Sequence, residues 1–358
     1  MIPLFMPEFT QEMRDAAVHA LQNEFYVMGE SVHRFEEDFA KYCGTRHAVS
    51  VSSGTAALKI ALIAMGLKAG ERVVTTPNSF IATSNSVIHA GGKPVFADIE
   101  ANTGSIDPSL INMKGARGVI PVHIYGSPAK LDEIKEAAGG GFILEDACQA
   151  HGAEYKGRKV GSIGDAGCFS FYSAKNMTVC GDGGMIITNN EGIAAKAAML
   201  RDCGRKSKYE HPMIGFTERL NTVNAAIGRV QLTMLDGWNE KRRGIAGMYR
   251  SMLPANMLLS EGKDALPVYH LFVVKSGQRD ALQEFLKSGG ITTGIHYPIP
   301  IHMQPSYMER FGYGGGEFPV AERFAREVLS LPIYPGLKKD DVRLVCEKVN
   351  EFGQGGDA

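Results

Sequence analysis

The chain lacks any closely spaced pair of cysteines. Cys43, Cys148, Cys168, Cys180, Cys203 and Cys346 are scattered over 358 residues. Zinc sites and dithiol redox motifs need close spacing, so neither is expected. Six separate thiols read as reduced, in a cytoplasmic protein. The ten histidines include no H-x-x-x-H pair, which disfavours a metal enzyme, and no metal is expected. Excess charge of either sign is missing too: 38 basic residues against 39 acidic ones leave a net charge of −1. That balance argues against a nucleic-acid partner or a polybasic membrane binder. No apolar run approaches the ~18 residues of a membrane span. The opening MIPLFMPEFTQEMRD has no basic stretch followed by a long apolar core, so it does not read as a secretory signal. Repeats and low-complexity runs are absent, and the short Gly-rich stretches at Gly139–Gly141, Gly181–Gly184 and Gly314–Gly316 read as turns. What is present is ordinary for a folded chain: 44% apolar and 22% charged residues, at a length that predicts one large domain plus a smaller one.

From about residue 45 to 190, short β-branched runs alternate with helical patterns. The predicted strands are His47–Val51, Arg72–Thr76, Lys93–Ile99, Gly118–Ile124, Gly141–Asp146, Gly167–Phe171 and Gly184–Thr188. Helical patterns cover Gly54–Met65, Ser79–His89 and Ala129–Ala138. This alternation predicts an α/β fold with a mostly parallel, seven-stranded sheet flanked by helices. A long helical stretch from Arg219 to Arg250 follows, with a break expected near Asp236–Gly237. Beyond it, Pro267–Lys275 reads as a strand, Gln278–Lys287 as a helix, Ile291–Thr293 as a short strand and Asp340–Phe352 as a closing helix. We therefore expect a large domain over residues 1–236, its N-terminal helical segment included, and a smaller C-terminal α+β domain over residues 237–358.

Sheets of this kind bind ligands outside the carboxyl ends of their strands. After the first strand comes Ser53-Gly54-Thr55 and then a helix start. Free amides at a helix N-terminus suit a phosphate, although Ser53 or Thr55 could equally serve as an ordinary cap. After the second comes Phe80, which could stack on a flat ring or simply pack in the core. Asp146 ends an apolar strand, where a carboxylate needs a cation or donors. Gln149, three residues on, shares a helical face with it. After the strand ending FSF lies Lys175, between apolar sequence and the loop GDGG. Partial desolvation there lowers an amine's pKa and makes it nucleophilic, whereas most lysines of the chain are solvated. A phosphate cradle, an aromatic plate, a carboxylate and a nucleophilic lysine together match what pyridoxal 5′-phosphate requires.

At these residues the sequence resembles the DegT/StrS family of sugar aminotransferases, of the type I pyridoxal-phosphate fold. The marks are MGESVHRFEEDFAKYCGTRHAVSVSSGTAAL, EDACQAHGAEYKGRKVGSIGDAGCFSFYSAKNMTVCGDGGMI, GRVQL, HYPIPIHMQPSY and LSLPIYPGLKKDD. The resemblance implies that Lys175 forms the Schiff base and that Asp146 pairs with the pyridine nitrogen. It places Gln149 beside the ring and its phenolic oxygen. It assigns phosphate contacts to Ser170 and to the Ser53-Gly54-Thr55 turn, and it puts Phe80 over the ring face. Some relatives carry histidine in place of the lysine and dehydrate instead, so Lys175 favours transamination. The family's G-[FY]-N-x-R segment, whose Asn reaches the partner subunit's cofactor phosphate, stands here as Gly215-Phe216-Thr217-Glu218-Arg219. Thr217, with its shorter donor, is the candidate for that contact, and a shared site implies a homodimer.

The resemblance thus implies amino transfer, with glutamate as the expected donor, to a keto group of a nucleotide-linked deoxy sugar in amino-sugar biosynthesis. FYSAKN with GDGG and HYPIPIHMQ look more like members acting on 3-keto sugars, while Arg219-Leu220-Asn221-Thr222-Val223-Asn224 departs from that subgroup. The rival readings are a dehydratase or an aminotransferase of a cyclitol or other small ketone, a cysteine desulfurase, and a non-catalytic regulator. A desulfurase needs a reactive cysteine on a mobile loop, and Cys346 lies in a helical pattern. A regulator has no need of Lys175, Asp146 and the SGT turn together.

Overall fold

The protein is described here by a computed structural model covering residues 1–355, with side chains to residue 353. Its opening helices are α1 (Gln11–Asn23) and α2 (Glu30–Cys43). In α2, Val32, Phe35, Phe39 and Cys43 recur every three or four residues and form one buried stripe. Phe35 meets Phe171 at 5.3 Å and Phe39 meets Phe169 at 5.1 Å between ring centroids. Gly44 ends the helix in a left-handed conformation (φ 71°), which glycine adopts without steric cost.

Then the βα alternation begins: β1 (His47–Val51), α3 (Gly54–Ala64), β2 (Arg72–Thr75), α4 (Ala82–His89), β3 (Lys93–Phe96), β4 (Ala116–Val119), α5 (Leu131–Ala138) and β5 (Phe142–Asp146). A short β6 (Glu154–Tyr155) and β7 (Arg158–Lys159) precede β8 (Ala166–Ser170), β9 (Gly184–Thr188) and α6 (Glu191–Arg201). The main sheet has seven strands in the order β1-β9-β8-β5-β4-β2-β3. The pairs β2–β3, β2–β4, β4–β5 and β5–β8 are parallel, and β9 runs antiparallel to both its neighbours. The expected mostly parallel, seven-stranded sheet is therefore present. Its strands are apolar on both faces, and one core (Val51, Leu58, Val73, Leu144, Ile186) lies between the sheet and α3.

Two expectations for this part of the chain need correction. The stretch Gly118–Ile124 is strand only as far as Val119, because Pro121 brings no N–H to the ladder; Val122 makes a single bridge to Asp146. The long helix α7 (Thr222–Met252) runs 31 residues without the break expected near Asp236–Gly237. A Cβ at Gly237 would meet nothing within 4 Å. A solvent-facing glycine costs about 1 kcal/mol in a helix, and the buried stripe Leu232, Leu235, Trp238, Ile245 and Tyr249 outweighs it.

After α7 come β10 (Ala265–Leu266), which joins β6 and β7, then β11 (Phe272–Lys275), α8 (Arg279–Ser288), α9 (Pro305–Phe311), α10 (Pro319–Glu327), β12 (Val328–Leu331) and α11 (Lys339–Gly355). Regular strand occupies only Phe272–Lys275 of the expected Pro267–Lys275, since Tyr269 at φ 45° breaks the extended run. The expected strand at Ile291–Thr293 is a single bridge from Ile291 to Ile2. The C-terminal half of α7 shares a core with β11, β12, α8 and α11 through Ala246, Tyr249, Phe272, Leu282, Leu331 and Val345.

Candidate active site

The carboxyl ends of β1, β5 and β8 converge on one edge. Ser53 caps α3, its Oγ accepting the amide of Ala56 at 3.1 Å. The capping reading is thus correct, and it uses the Ser53 hydroxyl locally. Left over are the first-turn amides of Gly54 and Thr55, which no carbonyl of the helix can reach. A Cβ on Gly54 would lie 2.7 Å from Cβ of Ser170 and 2.9 Å from Sγ of Cys148. One on Gly184 would lie 2.3 Å from the carbonyl of Ser53. The start of α3, the end of β8 and the start of β9 therefore close on each other as a cradle of bare backbone, with the Ser170 hydroxyl in its wall. The amide of Ser52 fastens this turn to the carbonyl of Glu218 at 2.9 Å, and Lys59 holds the Glu218 carboxylate at 2.7 Å.

Asp146 ends β5, buried. Its Oδ2 accepts the hydroxyl of Thr83 at 2.7 Å, and its Oδ1 accepts the amide of Cys148 at 3.2 Å. With the Thr83 proton committed, the Ser79 hydroxyl 2.7 Å away donates to Thr83. On the opposite face of β5, Glu145 accepts the amides of Gly161 (2.6 Å), Ile163 (2.7 Å) and Gly164 (2.6 Å) and Nε2 of His123 (2.9 Å). Nδ1 of His123 accepts the amide of Ala129 at 3.0 Å, so the ring proton sits on Nε2 and points at Glu145. Burial pushes the Glu145 carboxyl up, but these donors outweigh it and hold it below the usual carboxylate range. The strand end that presents Asp146 is thus pinned from behind.

Gln149 is held at both ends. Its Oε1 accepts the amide of Tyr125 at 2.7 Å and its Nε2 donates to the hydroxyl of Tyr297 at 3.0 Å. Lys175 follows β8 in a partly buried turn. Enclosure pulls its amine below the usual lysine range, with the Cys148 thiol and the Asp146 carboxylate pulling the other way. Lys175, Asp146 and Cys148 therefore share one electrostatic neighbourhood, and Cys148 borders Gly54. Behind them His151 packs against Phe169 at 5.3 Å, neither ring nitrogen having a partner. Burial, aided by the charge of Lys175, lowers its pKa to about 3.

Phe80 stands at the rim, 55% exposed, its ring 6.1 Å from that of Tyr297. It is not packed in the core. Thr217 is exposed, and its hydroxyl lies 3.4 Å from the Cys203 thiol. Thr83, Ser79, Tyr125 and Tyr297 did not stand out in the sequence. Only the i, i+4 spacing of Ser79 and Thr83 just after β2 could have hinted at two of them.

Comparison with known proteins decides what this arrangement belongs to. The model of the DegT/DnrJ/EryC1/StrS aminotransferase family matches residues 7–350. The chain belongs to this family. It is 40% identical over 342 residues to a protein of Geobacillus stearothermophilus named pleiotropic regulatory protein, covering 93% of this chain and 92% of that one. It is 38% identical over 355 residues to dTDP-3-amino-3,4,6-trideoxy-alpha-D-glucose transaminase of Streptomyces venezuelae, covering 97% and 93%. The X-ray structure of S. venezuelae DesV in complex with a ketimine intermediate matches with a TM-score of 0.95 at 38% identity, covering 98% of each chain. The family fixes the chemistry as pyridoxal-phosphate-dependent amino transfer. The residues present fit that cofactor. Orphan amides and a hydroxyl form an anion cradle, a buried carboxylate has donors on both oxygens, and a desolvated amine lies beside it.

Proposed function

We propose that this aminotransferase moves an amino group from glutamate to the 3-keto group of a nucleotide-linked deoxy sugar, in a cytoplasmic pathway of amino-sugar and polysaccharide biosynthesis. The observation that carries the reading is the convergence of Lys175 and Asp146 beside the Gly54–Ser170 cradle. When bound, pyridoxal phosphate supplies an electron sink and carries the nitrogen between two half-reactions. The amides of Gly54 and Thr55 and the hydroxyl of Ser170 would hold its phosphate, while Ser53 fixes the turn. Asp146, held in place by the Thr83 hydroxyl and the Cys148 amide, would hold a proton on the ring nitrogen. Gln149, held by Tyr125 and Tyr297, and Phe80 at the rim would be the residues that line its ring. Lys175 takes the proton from the donor's α-carbon and later delivers a proton to the carbon that was the ketone. Glutamate leaves as 2-oxoglutarate and the ketone becomes an amine, so atoms balance across the pair.

Residues 1–236 form the cofactor unit and residues 237–358 the smaller unit, with α7 spanning the division. Two chains pair as a homodimer, and Thr217 reaches the phosphate of its neighbour's site. The transaminase relative supports the sugar nucleotide and the 3-position. The relative named as a regulatory protein does not favour a purely regulatory role, because Lys175, Asp146 and the cradle are all intact here.

The test is spectroscopic and chemical. Purified enzyme is expected to show a visible cofactor band that shifts on adding glutamate. 2-Oxoglutarate should appear, and a dTDP- or UDP-linked 3-keto sugar should gain one amino group by mass spectrometry. The Lys175→Ala variant should lose turnover yet still bind the cofactor non-covalently. A colourless protein that resists reconstitution, or an active Lys175→Ala variant, overturns the assignment.

A further inference from the structure

The loop that carries Lys175, residues 171–183, contains no helix or strand between β8 and β9. Of backbone-to-backbone bonds, the described residues show one inside it, from the amide of Lys175 to the carbonyl of Tyr172 at 2.8 Å. Another crosses its base, from the amide of Phe171 to the carbonyl of Gly183 at 2.8 Å. The long helix α7 supplies further hold. Oδ1 of Asn239 accepts Nδ2 of Asn176 at 2.9 Å, and Oε1 of Gln231 accepts the amide of Thr178 at 2.7 Å. Nδ2 of Asn224 donates to the carbonyl of Val179 at 2.6 Å. Positions 224, 231 and 239 recur about every two turns, so they share one helix face. Asn239 and Gln231 are 1% and 2% exposed.

Asn239 reaches a second segment as well. Its Nδ2 donates to the carbonyl of His151 at 2.8 Å, in the stretch that leaves Asp146 and passes Gln149. A carbonyl only accepts, so this contact fixes which way the Asn239 amide points and leaves its Oδ1 for Asn176. The approach uses bare backbone: a Cβ on Gly152 would lie 2.8 Å from Nδ2 of Asn239. One buried carboxamide thus clasps the two stretches of chain that present Asp146 and Lys175. Nδ2 of Asn176 also serves the carbonyl of Val268 at 2.9 Å, while its Oδ1 is buried without a partner. A network that served only to satisfy buried polar atoms would not add an orphan. The Asp146 end has anchors of its own in Thr83, the Cys148 amide and the donors around Glu145. The Lys175 loop, with one internal backbone bond, is the side that the clasp locates.

We propose that Asn239 is a positioning residue for Lys175: through Asn176 and the His151 carbonyl it keeps the lysine loop in register with the strand end that carries Asp146. This rests on the role given to Lys175 above. An amine that moves a proton in both half-reactions has to return to one place, and its backbone must be held by contacts that do not involve the amine. Misplacement by about 1 Å can cost about a hundredfold in rate. Gln231 secures the same loop farther on, at Thr178.

The test compares wild-type holoenzyme with Asn239→Leu, which offers neither donor nor acceptor. Stopped-flow absorbance gives the maximal rate of the first half-reaction and the glutamate concentration that half-saturates it. The maximal rate is expected to fall about 10- to 100-fold, with half-saturation unchanged. The same substitution is then placed in the Lys175→Ala chain, and cofactor affinity is read by equilibrium dialysis. With no lysine to place, adding Asn239→Leu should leave that affinity as it was. An unchanged maximal rate in Asn239→Leu overturns the proposal. So does a loss of cofactor affinity in the double variant, which marks Asn239 as a brace of the whole site. Should Asn239→Leu fail to fold, Asn176→Ala opens the clasp from the loop side and leaves the His151 contact in place; it must show the same loss of rate. In crystals of wild-type holoenzyme both Asn239 contacts must be present, and the absence of either overturns the proposal whatever the variants do. Turnover by Lys175→Ala alone is a different failure: it refutes the role of Lys175 on which this inference rests.

Discussion

At the scale of single residues, the chemistry of Asp146 depends on a neighbour 63 positions away. The Thr83 hydroxyl donates to Oδ2 at 2.7 Å inside a buried pocket, and a hydrogen bond to a charged group there is worth about 1.5–3 kcal/mol. Thr83→Val removes that donor at nearly constant volume and leaves the Ser79 proton without an acceptor. Cofactor affinity, measured by equilibrium dialysis, is expected to fall about tenfold to hundredfold, and Thr83→Ser should recover most of it. Equal affinity in Thr83→Val would mean that the Thr83 contact does not help Asp146 hold the ring nitrogen. Asp146 itself was legible in the sequence, because an acid closing an apolar strand must find a donor. Lys175 was legible by its place between a strand and a Gly-rich loop. Thr83 and Tyr297 were not. A hydroxyl on a short helix and a phenol in a loop have no local signature, and their partners are set by chain crossings 63 and 148 residues long.

At the scale of elements, α7 shows how tertiary burial overrides a local break signal. Asp236-Gly237 suggested a stop, yet the helix continues because its apolar stripe is buried both before and after that point. Gly237 makes no close contact, so Gly237→Ala should stabilise the protein by roughly 0.5–1 kcal/mol, through removed backbone freedom alone. Urea unfolding at constant slope would show this as a higher midpoint. A lower midpoint would mean that the helix needs a flexible joint there. The strands of the main sheet were legible because parallel strands, buried on both faces, appear as continuous apolar runs between helical periods. Four-residue strands and single bridges, such as that from Ile2 to Ile291, were not legible. Their pairing depends on which distant segment arrives beside them, and Pro121 shortened one strand for a backbone reason that apolar content masks.

At the scale of the whole molecule, three histidines near Lys175 are held neutral, His151 and His270 buried and His296 half-buried. Burial, with the charge of Lys175, lowers His151 to about 3 and His296 to about 4, and His270 falls well below its ordinary 6.5. As pH drops below about 6.5, the unfolded chain takes up protons that the folded one refuses, so stability is present above that pH and is lost on acidification. Each such residue contributes up to about 1.4 kcal/mol per pH unit. His151→Phe, set between Phe169 and Phe171, should flatten the fall of unfolding free energy between pH 6.5 and 4; an unchanged slope would mean that His151 takes its proton in the folded state. Assembly makes a sharper demand. If each site draws Lys175 from one chain and Thr217 from the other, two differently damaged chains should rescue each other. Lys175→Ala and Thr217→Glu homodimers are each expected to be nearly inactive, the second because a carboxylate repels the phosphate. In a mixed dimer, one site combines both lesions and the other combines neither. Random exchange makes about half of all dimers mixed, so unfolding and refolding an equimolar mixture should restore about a quarter of wild-type activity. If Thr217 served the site of its own chain, every site would carry one lesion and no activity would return. If it served neither site, Thr217→Glu alone would keep its activity. The same mixture therefore reports both whether the chains share sites and which residue crosses between them.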